Sequence, residues 1–587
     1  MLFRDESSVQ DIEVFAKGVL GTICYDEIWS ADLLPMPSSV THLPTIPPEV
    51  AYFCAEFGLS EGLPFFAGGL GILAGDVLKQ AADESFPLVG VGLFYHGKKD
   101  RQIVHEDGSQ EYHDYHFNPA EQGFVEVMLA EGQPWNCTLS FGSESVVVYA
   151  LALPLANGNV IYFLETDRPE NSEQMRDLTL APYWGDERQQ LRQQLVLGCA
   201  GVRLLSDLGI LPETIHINEG RPAVLVWEMA ALLCEKVGIS GFDALQEVKQ
   251  KVVYTNHTLV RAGNLSYPVN VVAEHVQPWA DRLQLPASLL LQPGLDQAGE
   301  RFEITEFSLQ MSRKASGVSE RHTKLCAVQW PEFSWVNITN GVHFPTWQRP
   351  ELAREEQTDR ELWDAHLTAK YQLMEEAVRR TGIGYDPNKL VLGWARRITE
   401  YKRLSSLFTD LHRLRSLCTQ VDRPVQLVIA GKAHPGDGQG QELLQSVIKL
   451  FQTELSGIAV FIPNYDIELS QYLVSGVDVW LNTPIDGREA CGTSGMKASA
   501  NGVLQASVSD GWADEVEWLD MGWTLDPVDP GLHLLDLLEE QIQPLFYDRQ
   551  DGLPQDWIQR MRRTQKMSQQ FSAARMLREY REKLYTV

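Results

Sequence analysis

Short runs rich in Val, Ile and Leu alternate along this chain with longer segments whose apolar residues recur every three or four positions, the pattern of strands separated by amphipathic helices. In the first half, residues 49–57 read as a buried strand leading through a Gly-Leu-Pro turn to Gly68-Gly69-Leu70-Gly71 and a helix ending near Glu84. Between 100 and 167 the texture changes to short alternating runs broken at Asp107-Gly108, Gly132-Gln133-Pro134 and Asn157-Gly158, which predicts a β-meander insert. Leu191, Leu195, Val202 and Leu205 then form one helical stripe, and 214–219, 221–237 and 251–257 read as strand, helix and strand. The second half repeats the alternation more regularly, with strands predicted over 389–397, 425–432, 457–465, 477–483 and 503–508 and a helix over 439–454.

Such alternation implies mostly parallel sheets covered by helices on both faces. The expected fold class is α/β, with two Rossmann-like domains facing each other across a catalytic cleft, since open α/β sheets bind ligands beyond the carboxyl ends of their strands. The change of lobe is placed between 340 and 390. This gives an N-terminal lobe over 1–345 carrying the insert, a C-terminal lobe over 346–553, and an amphipathic helix over 554–587 expected to pack across both.

Charge narrows the function. With 79 acidic against 49 basic residues in 587, the formal charge is −30, so no nucleic acid and no anionic membrane is the expected partner. An anionic substrate must find a local basic island. The eight cysteines show neither a C-x-x-C pair nor zinc-finger spacing, so no disulfide framework and no metal is expected, and a reducing cytoplasm is the natural compartment. The longest apolar run, 146–156, contains Pro154 and falls short of the roughly 20 residues that span a bilayer. The start, MLFRDESSVQ, lacks the basic-then-apolar order of a signal peptide.

Two clusters are candidates for chemistry. From Arg396 to Arg403, four of eight residues are cationic, where the chain average of 49 in 587 predicts fewer than one. Directly after a predicted strand, Arg396, Arg397 and Lys402 are placed to hold phosphate oxygens; the pattern alone reads as readily as a solvated helix start. Arg403 is expected to be exposed and dispensable. Residues 484–497 follow another strand with Glu489-Ala490-Cys491-Gly492-Thr493-Ser494-Gly495-Met496-Lys497, small and hydroxylated residues whose backbone N–H groups favour an anion. Spacing alone favours an ordinary glycine turn, and no Walker order is present. Asp76 and Lys79, one helical turn apart, read as a surface pair; His105, His113 and His116 read as surface histidines; Trp227 and Trp480 read as core.

Read together, these residues resemble the α-glucan phosphorylases, the family of glycogen, starch and maltodextrin phosphorylases. The segment 489–497 is similar to that family's pyridoxal-phosphate attachment motif, and 397–403 to its R-x-x-E-Y-K-R segment. Tyr254-Thr255-Asn256-His257-Thr258, Thr339-Asn340-Gly341-Val342, Gly68-Gly69-Leu70-Gly71, Gly431-Lys432-Ala433 and Asn464-Tyr465 also match in the family's order, spanning roughly 50 to 510, and the length resembles the compact prokaryotic branch. The resemblance implies a glycosyltransferase B-type architecture and a reversible, retaining transfer of the non-reducing-end glucosyl unit of an α-1,4-glucan or maltooligosaccharide to inorganic phosphate.

It implies that Lys497 carries pyridoxal 5′-phosphate, surrounded by Tyr465, Trp347, Gly492, Thr493, Gly69 and Arg396. It implies that Arg397 and Lys402 hold substrate phosphate, and that His257, Asn340, Glu489, Leu70, Ala490, Cys491 and Gly492 line the glucosyl site. A homodimer is a further implication. Two departures stand out: Arg221 occupies a position where His is usual, and Leu259-Val260-Arg261 replaces a proline-containing form. A nucleotide-sugar glycosyltransferase on the same architecture, which would leave Lys497 unmodified, and a catalytically silent glucan-binding protein are the alternatives.

Overall fold

The structure, a computed structural model, describes residues 47–586 apart from 61, 62, 64, 98, 115–117, 130, 131, 260–263 and 355. The N-terminal decapeptide, His116 and the Val260-Arg261 departure lie outside the described residues.

The first fourteen strands are β1 (Val50–Phe53), β2 (Leu88–Leu93), β3 (Lys99–Val104), β4 (Gln110–Asp114), β5 (Val125–Glu126), β6 (Asn136–Phe141), β7 (Glu144–Pro154), β8 (Val160–Glu165), β9 (Thr214–Asn218), β10 (Val252–Thr255), β11 (Ser266–Pro268), β12 (Arg301–Glu303), β13 (Lys314–Gly317) and β14 (Trp335–Asn337). Ten of them form one sheet in the order β14-β13-β10-β9-β1-β2-β8-β7-β5, with β6 on β7. From β14 to β8 every pairing is parallel; β7 then turns antiparallel on β8 and carries β5 and β6. The 100–167 region is thus divided: β5 to β8 continue the sheet, while β3 and β4 form a hairpin paired only with each other. Strands β11 and β12 make a second ribbon.

The second sheet, β15 (Leu390–Ala395), β16 (Val425–Ala430), β17 (Ala459–Ile462), β18 (Val479–Asn482), β19 (Leu504–Val508) and β20 (Gly522–Leu525), is wholly parallel in the order β17-β16-β15-β18-β19-β20. The fold is α/β with parallel sheets and many helices. Because side chains alternate across a strand, Leu390, Leu392 and Trp394 enter one core and Val391 and Ala395 the core on the opposite face. Burial on both faces is why most of these strands read as largely apolar runs.

Helices depart from expectation at their ends. The helix expected over 221–237 begins only at Leu225, after a turn at Arg221-Pro222. The stripe from Leu191 to Leu205 lies on two helices, Glu187–Leu195 and Gly201–Asp207, joined by a π turn at Val196–Ala200. The amphipathic end is also two helices, Gln555–Ser568 and Ala573–Glu579, separated at Gln569–Phe571. Trp557, Ile558 and Met561 belong to the second sheet's core, whereas Ala573, Met576, Leu577, Tyr580 and Leu584 belong to the first sheet's. Among the described residues no helix is long and apolar enough to cross a membrane.

Candidate active site

Strand order places the candidate loops. In the second sheet the chain runs outward from β15 through β16 and β17, then returns to β18 on the other side of β15, so the order reverses between β15 and β18. Loops leaving the two strands at such a reversal diverge and open a crevice. These loops are the basic island, 396–403, and the glycine segment, 483–497. They are tied together: Thr483 Oγ1 donates to the Lys402 carbonyl at 2.9 Å and Ile485 N–H to the Tyr401 carbonyl at 2.8 Å. In the first sheet the order reverses between β1 and β9, and the segments after them hold Glu56, Gly68–Gly71 and Glu219.

Lys497 lies in the short helix Ser494–Ala500, is 6% exposed, and sets its ammonium 3.6 Å from the centre of the Trp347 ring. The indole Nε1 donates to the Asp76 carboxylate at 2.9 Å, and the His343 backbone N–H donates to it at 3.3 Å. Asp76 is therefore not half of a surface pair: it is 1% exposed and props the ring on which Lys497 rests. Lys79 turns instead to Thr346 Oγ1, 3.2 Å away. Burial pulls the Lys497 amine down to about 8, with Asp76 opposing that fall and Lys79 assisting it. An amine that loses its proton near neutrality is a competent nucleophile.

In the basic island, buried Arg396 bonds the Asn482 side chain and the Leu481 carbonyl, and its guanidinium lies 5.0 Å from the Trp394 ring. Burial lowers it to about 10, against the pull of Glu489 and Tyr465 nearby, and its Nε is buried without a partner. Lys402 forms an ion pair with Glu489, both side chains about a tenth exposed. Arg397 is exposed. Arg403 corrects the sequence expectation: partly buried at φ 50°, it donates to the carbonyls of Thr483 (3.0 Å), Pro527 (2.8 Å) and Pro484, so it ties the two active loops together.

Across the glycine segment, buried Asp510 accepts the N–H groups of Arg488 (3.1 Å) and Glu489 (3.0 Å) and so fixes the Glu489 backbone. Gly492 sits at φ 82°, where an added Cβ would stand 3.2 Å from Glu489, so glycine suits the turn on both counts. The first sheet's chain reaches this loop through Ser319 Oγ, which donates to the Ala490 carbonyl at 2.7 Å. Cys491 is buried, Thr493 precedes the helix, and Tyr465 OH lies 3.2 Å from Ser470 Oγ. Trp480 is core, as expected, and its Nε1 reaches Ser494 Oγ at 3.2 Å; Trp227 is core too.

On the first sheet's side, Asn340 is 4% exposed and its Oδ1 is buried without a partner. Its turn is held from behind by Arg575, which donates to the carbonyls of Thr339 (2.6 Å) and Asn340 (3.0 Å). His257 Nε2 lies 2.7 Å from Asn218 Oδ1, and its backbone N–H donates to Glu219 Oε2 at 2.7 Å. Burial depresses the imidazole to about 3 and raises Glu219 to about 7. Since Asn218 Oδ1 only accepts, Nε2 carries the proton and Nδ1 is left as the acceptor. Arg221 stacks 4.0 Å over the Tyr183 ring. Gly69 is exposed at the start of the helix Gly69–Asp83, and Leu70 half-buries against the first core. His105 and His113 are exposed around Glu111, and no group of three metal-ligating side chains occurs among the described residues.

Sequence reasoning missed Asp76, Asp510 and Arg575. Asp76 was legible only as a charge flanked by Gly75 and Val77, and was read as half of a pair with Lys79; the other two act on backbone groups and leave no local signal.

The carbohydrate phosphorylase family model matches residues 346–519. The chain is 34% identical to a maltodextrin phosphorylase of Thermococcus litoralis over 93% of this chain and 71% of the relative. It is 33% identical to a glycogen phosphorylase of Aquifex aeolicus, over 92% of this chain and 86% of the relative, and 33% identical to a glycogen phosphorylase of Mycobacterium tuberculosis, over 92% and 71%. The chain belongs to the carbohydrate phosphorylase family.

Proposed function

We infer that this chain is an α-glucan phosphorylase: it moves the non-reducing-end glucosyl unit of an α-1,4-glucan reversibly to inorganic phosphate, giving α-D-glucose 1-phosphate with retention. The observation that carries the reading is Lys497, a buried amine lowered to about 8 and laid on Trp347.

Pyridoxal 5′-phosphate, the cofactor of this family, fits these residues. Lys497 offers a deprotonatable amine, Trp347 a flat apolar support, and Arg396 a buried N–H with no protein partner. Tyr465, Gly492, Thr493 and Gly69 complete its proposed surroundings. When bound, the cofactor supplies a phosphate that titrates near pH 6 and so exchanges a proton at neutral pH.

The remaining roles fall to the chain. Arg397 and Lys402 bind substrate phosphate, one as a planar fork and the other as a point charge. Phosphate competes with Glu489 for Lys402 and thereby releases the carboxylate to accept sugar hydroxyls. Neutral His257 accepts a hydroxyl proton at Nδ1, and Asn340 Oδ1 accepts another; Leu70, Ala490, Cys491 and Gly492 line the same space. Exclusion of water from the crevice lets phosphate win over hydrolysis. In this reading the first lobe ends at 345, the part of it before 47 lying outside the described residues, the second comprises 346–553 with 554–587 crossing between them, and the protein works in the cytoplasm as a homodimer.

Maltooligosaccharide and phosphate should yield glucose 1-phosphate without any nucleotide, and borohydride reduction followed by peptide mapping should place pyridoxal phosphate on Lys497. Turnover only with a nucleotide sugar, or active protein unmodified at Lys497, would sink the reading.

A further inference from the structure

The hairpin β3–β4 leaves the first sheet's chain between β2 and β5 and pairs with no other strand. Two-stranded hairpins are marginal alone, so its order comes from what it touches. It touches the second sheet's loops. The Gln102 backbone N–H donates to Asn464 Oδ1 at 3.1 Å and the Asn464 N–H returns a bond to Gln102 Oε1 at 2.9 Å, a reciprocal pair in which Gln102 is only 3% exposed. Tyr112 OH donates to the Ala433 carbonyl at 2.5 Å. Three more bonds pin the hairpin to the helix Gly438–Gln452: Gln110 to the Gln441 carbonyl (3.4 Å), Gln445 to the Asp107 carbonyl (3.1 Å) and Gln452 to the Glu106 carbonyl (3.1 Å). At the tip, Gly108 has φ 79°, and an added Cβ would stand 3.1 Å from the Gln445 carbonyl, so the turn lies flat on that helix.

Both loops gripped by the hairpin adjoin the proposed phosphate site. Ala433 bridges to Ile398 within the basic island, and Ile398 N–H donates to the Lys432 carbonyl at 2.9 Å. Asn464, in the left-handed region at φ 57°, directly precedes Tyr465, whose phenol feels the charge of Arg396. A left-handed asparagine needs surrounding contacts to hold it. Gln102 supplies two, and Arg380 supplies another at the Asn464 carbonyl, 2.7 Å away.

We propose that this hairpin is a positioning arm for the phosphate side of the site. Gln102 and Tyr112 hold the loops after β16 and β17 in the conformation that aims Arg396, Arg397 and Tyr465, and the role rests on the phosphorylase reading above. Neither residue touches substrate. The arm crosses from the chain that carries the sugar-side residues to the sheet that carries the cations, so it fixes the distance between the two halves of the reaction.

The test uses the near-isosteric variants Gln102→Met and Tyr112→Phe, singly and together, in the cofactor-loaded protein. Losing one such bond is expected to raise the phosphate KM about five- to tenfold, the double variant more, while the maltooligosaccharide KM stays within about twofold. Hydrogen exchange should quicken in 431–437 and 462–466 and stay unchanged in 214–219. An unchanged phosphate KM in the double variant overturns the arm, as does an equal rise in both KM values accompanied by a general fall in Tm. Absence of phosphorolysis by the wild type overturns the parent reading and the arm's catalytic role with it, whereas active wild type with unaltered variants overturns the arm alone.

Discussion

Replacing Asp76 by Asn removes a charge from beside Lys497 while keeping an oxygen to accept the Trp347 N–H. The ammonium stands 3.6 Å above the indole and the carboxylate 2.9 Å from Nε1 at its edge, which puts the two charges about 6 Å apart; at an effective dielectric constant near 20 their attraction is about 2.8 kcal/mol, or about a hundredfold in the protonation equilibrium. Burial already lowers Lys497 to about 8, and the lost carboxylate lowers it further, so the sign is toward the neutral amine. At pH 7 about a tenth of wild-type Lys497 is neutral, and in Asp76→Asn nearly all of it, an expected tenfold gain in amine reactivity that vanishes by pH 9. The assay is the rate at which cofactor-stripped protein takes up pyridoxal phosphate between pH 5.5 and 9.5, followed by absorbance with peptide mapping of Lys497. An unchanged profile, or a midpoint moved to higher pH, would refute the assignment of Asp76 as the charge that holds Lys497 protonated.

Four further outcomes are expected. Glu219 is raised to about 7 by burial, so its favourable term is complete below pH 4.5 and lost as pH rises through 7; Glu219→Gln should therefore stabilise the protein at pH 8.5 by up to about 3 kcal/mol relative to its effect at pH 4.5, measured by urea unfolding at both. Lys402→Met strands Glu489 in a nearly buried site and should cost about 3–5 kcal/mol, most of it recovered in Lys402→Met/Glu489→Gln, with chemical denaturation as the check. Arg397→Ala, at an exposed position, should leave Tm within a degree or so yet raise the phosphate requirement and slow turnover about 30- to 1000-fold, read from initial rates at varied phosphate. Arg403→Ala should lower stability by about 1–3 kcal/mol because it frees three loop carbonyls, and a variant indistinguishable from wild type in both stability and rate would restore the view of Arg403 as a surface residue.

The alternation of apolar runs with 3.6-residue stripes was sufficient to define parallel sheets, since strands buried on both faces are mostly apolar, with hydrogen-bonded polar residues such as His216 and Asn482 as exceptions. The segments Arg396 to Arg403 and Glu489 to Lys497 were legible because each is a dense local departure from average composition placed directly after a strand. Their meeting was not legible. Lys402 and Glu489 are 87 positions apart and form an ion pair only because the strand order reverses between β15 and β18. The roles of Asp76, Asp510 and Arg575 escaped for a related reason: each acts on a partner far along the chain, Trp347 by 271 positions in the case of Asp76. Helix ends at Leu225 and Gln569–Phe571 were set by packing, which overrides weak intrinsic propensity. Residue type and local period are properties of neighbours in sequence, so the chain by itself determined which elements form and which groups have the right chemistry. Burial, protonation and pairing depend on neighbours in space, so only the tertiary structure decided that Lys497 is a buried amine resting on Trp347, that Arg403 is a tie between loops, and that a hairpin paired with neither large sheet grips the loops after β16 and β17.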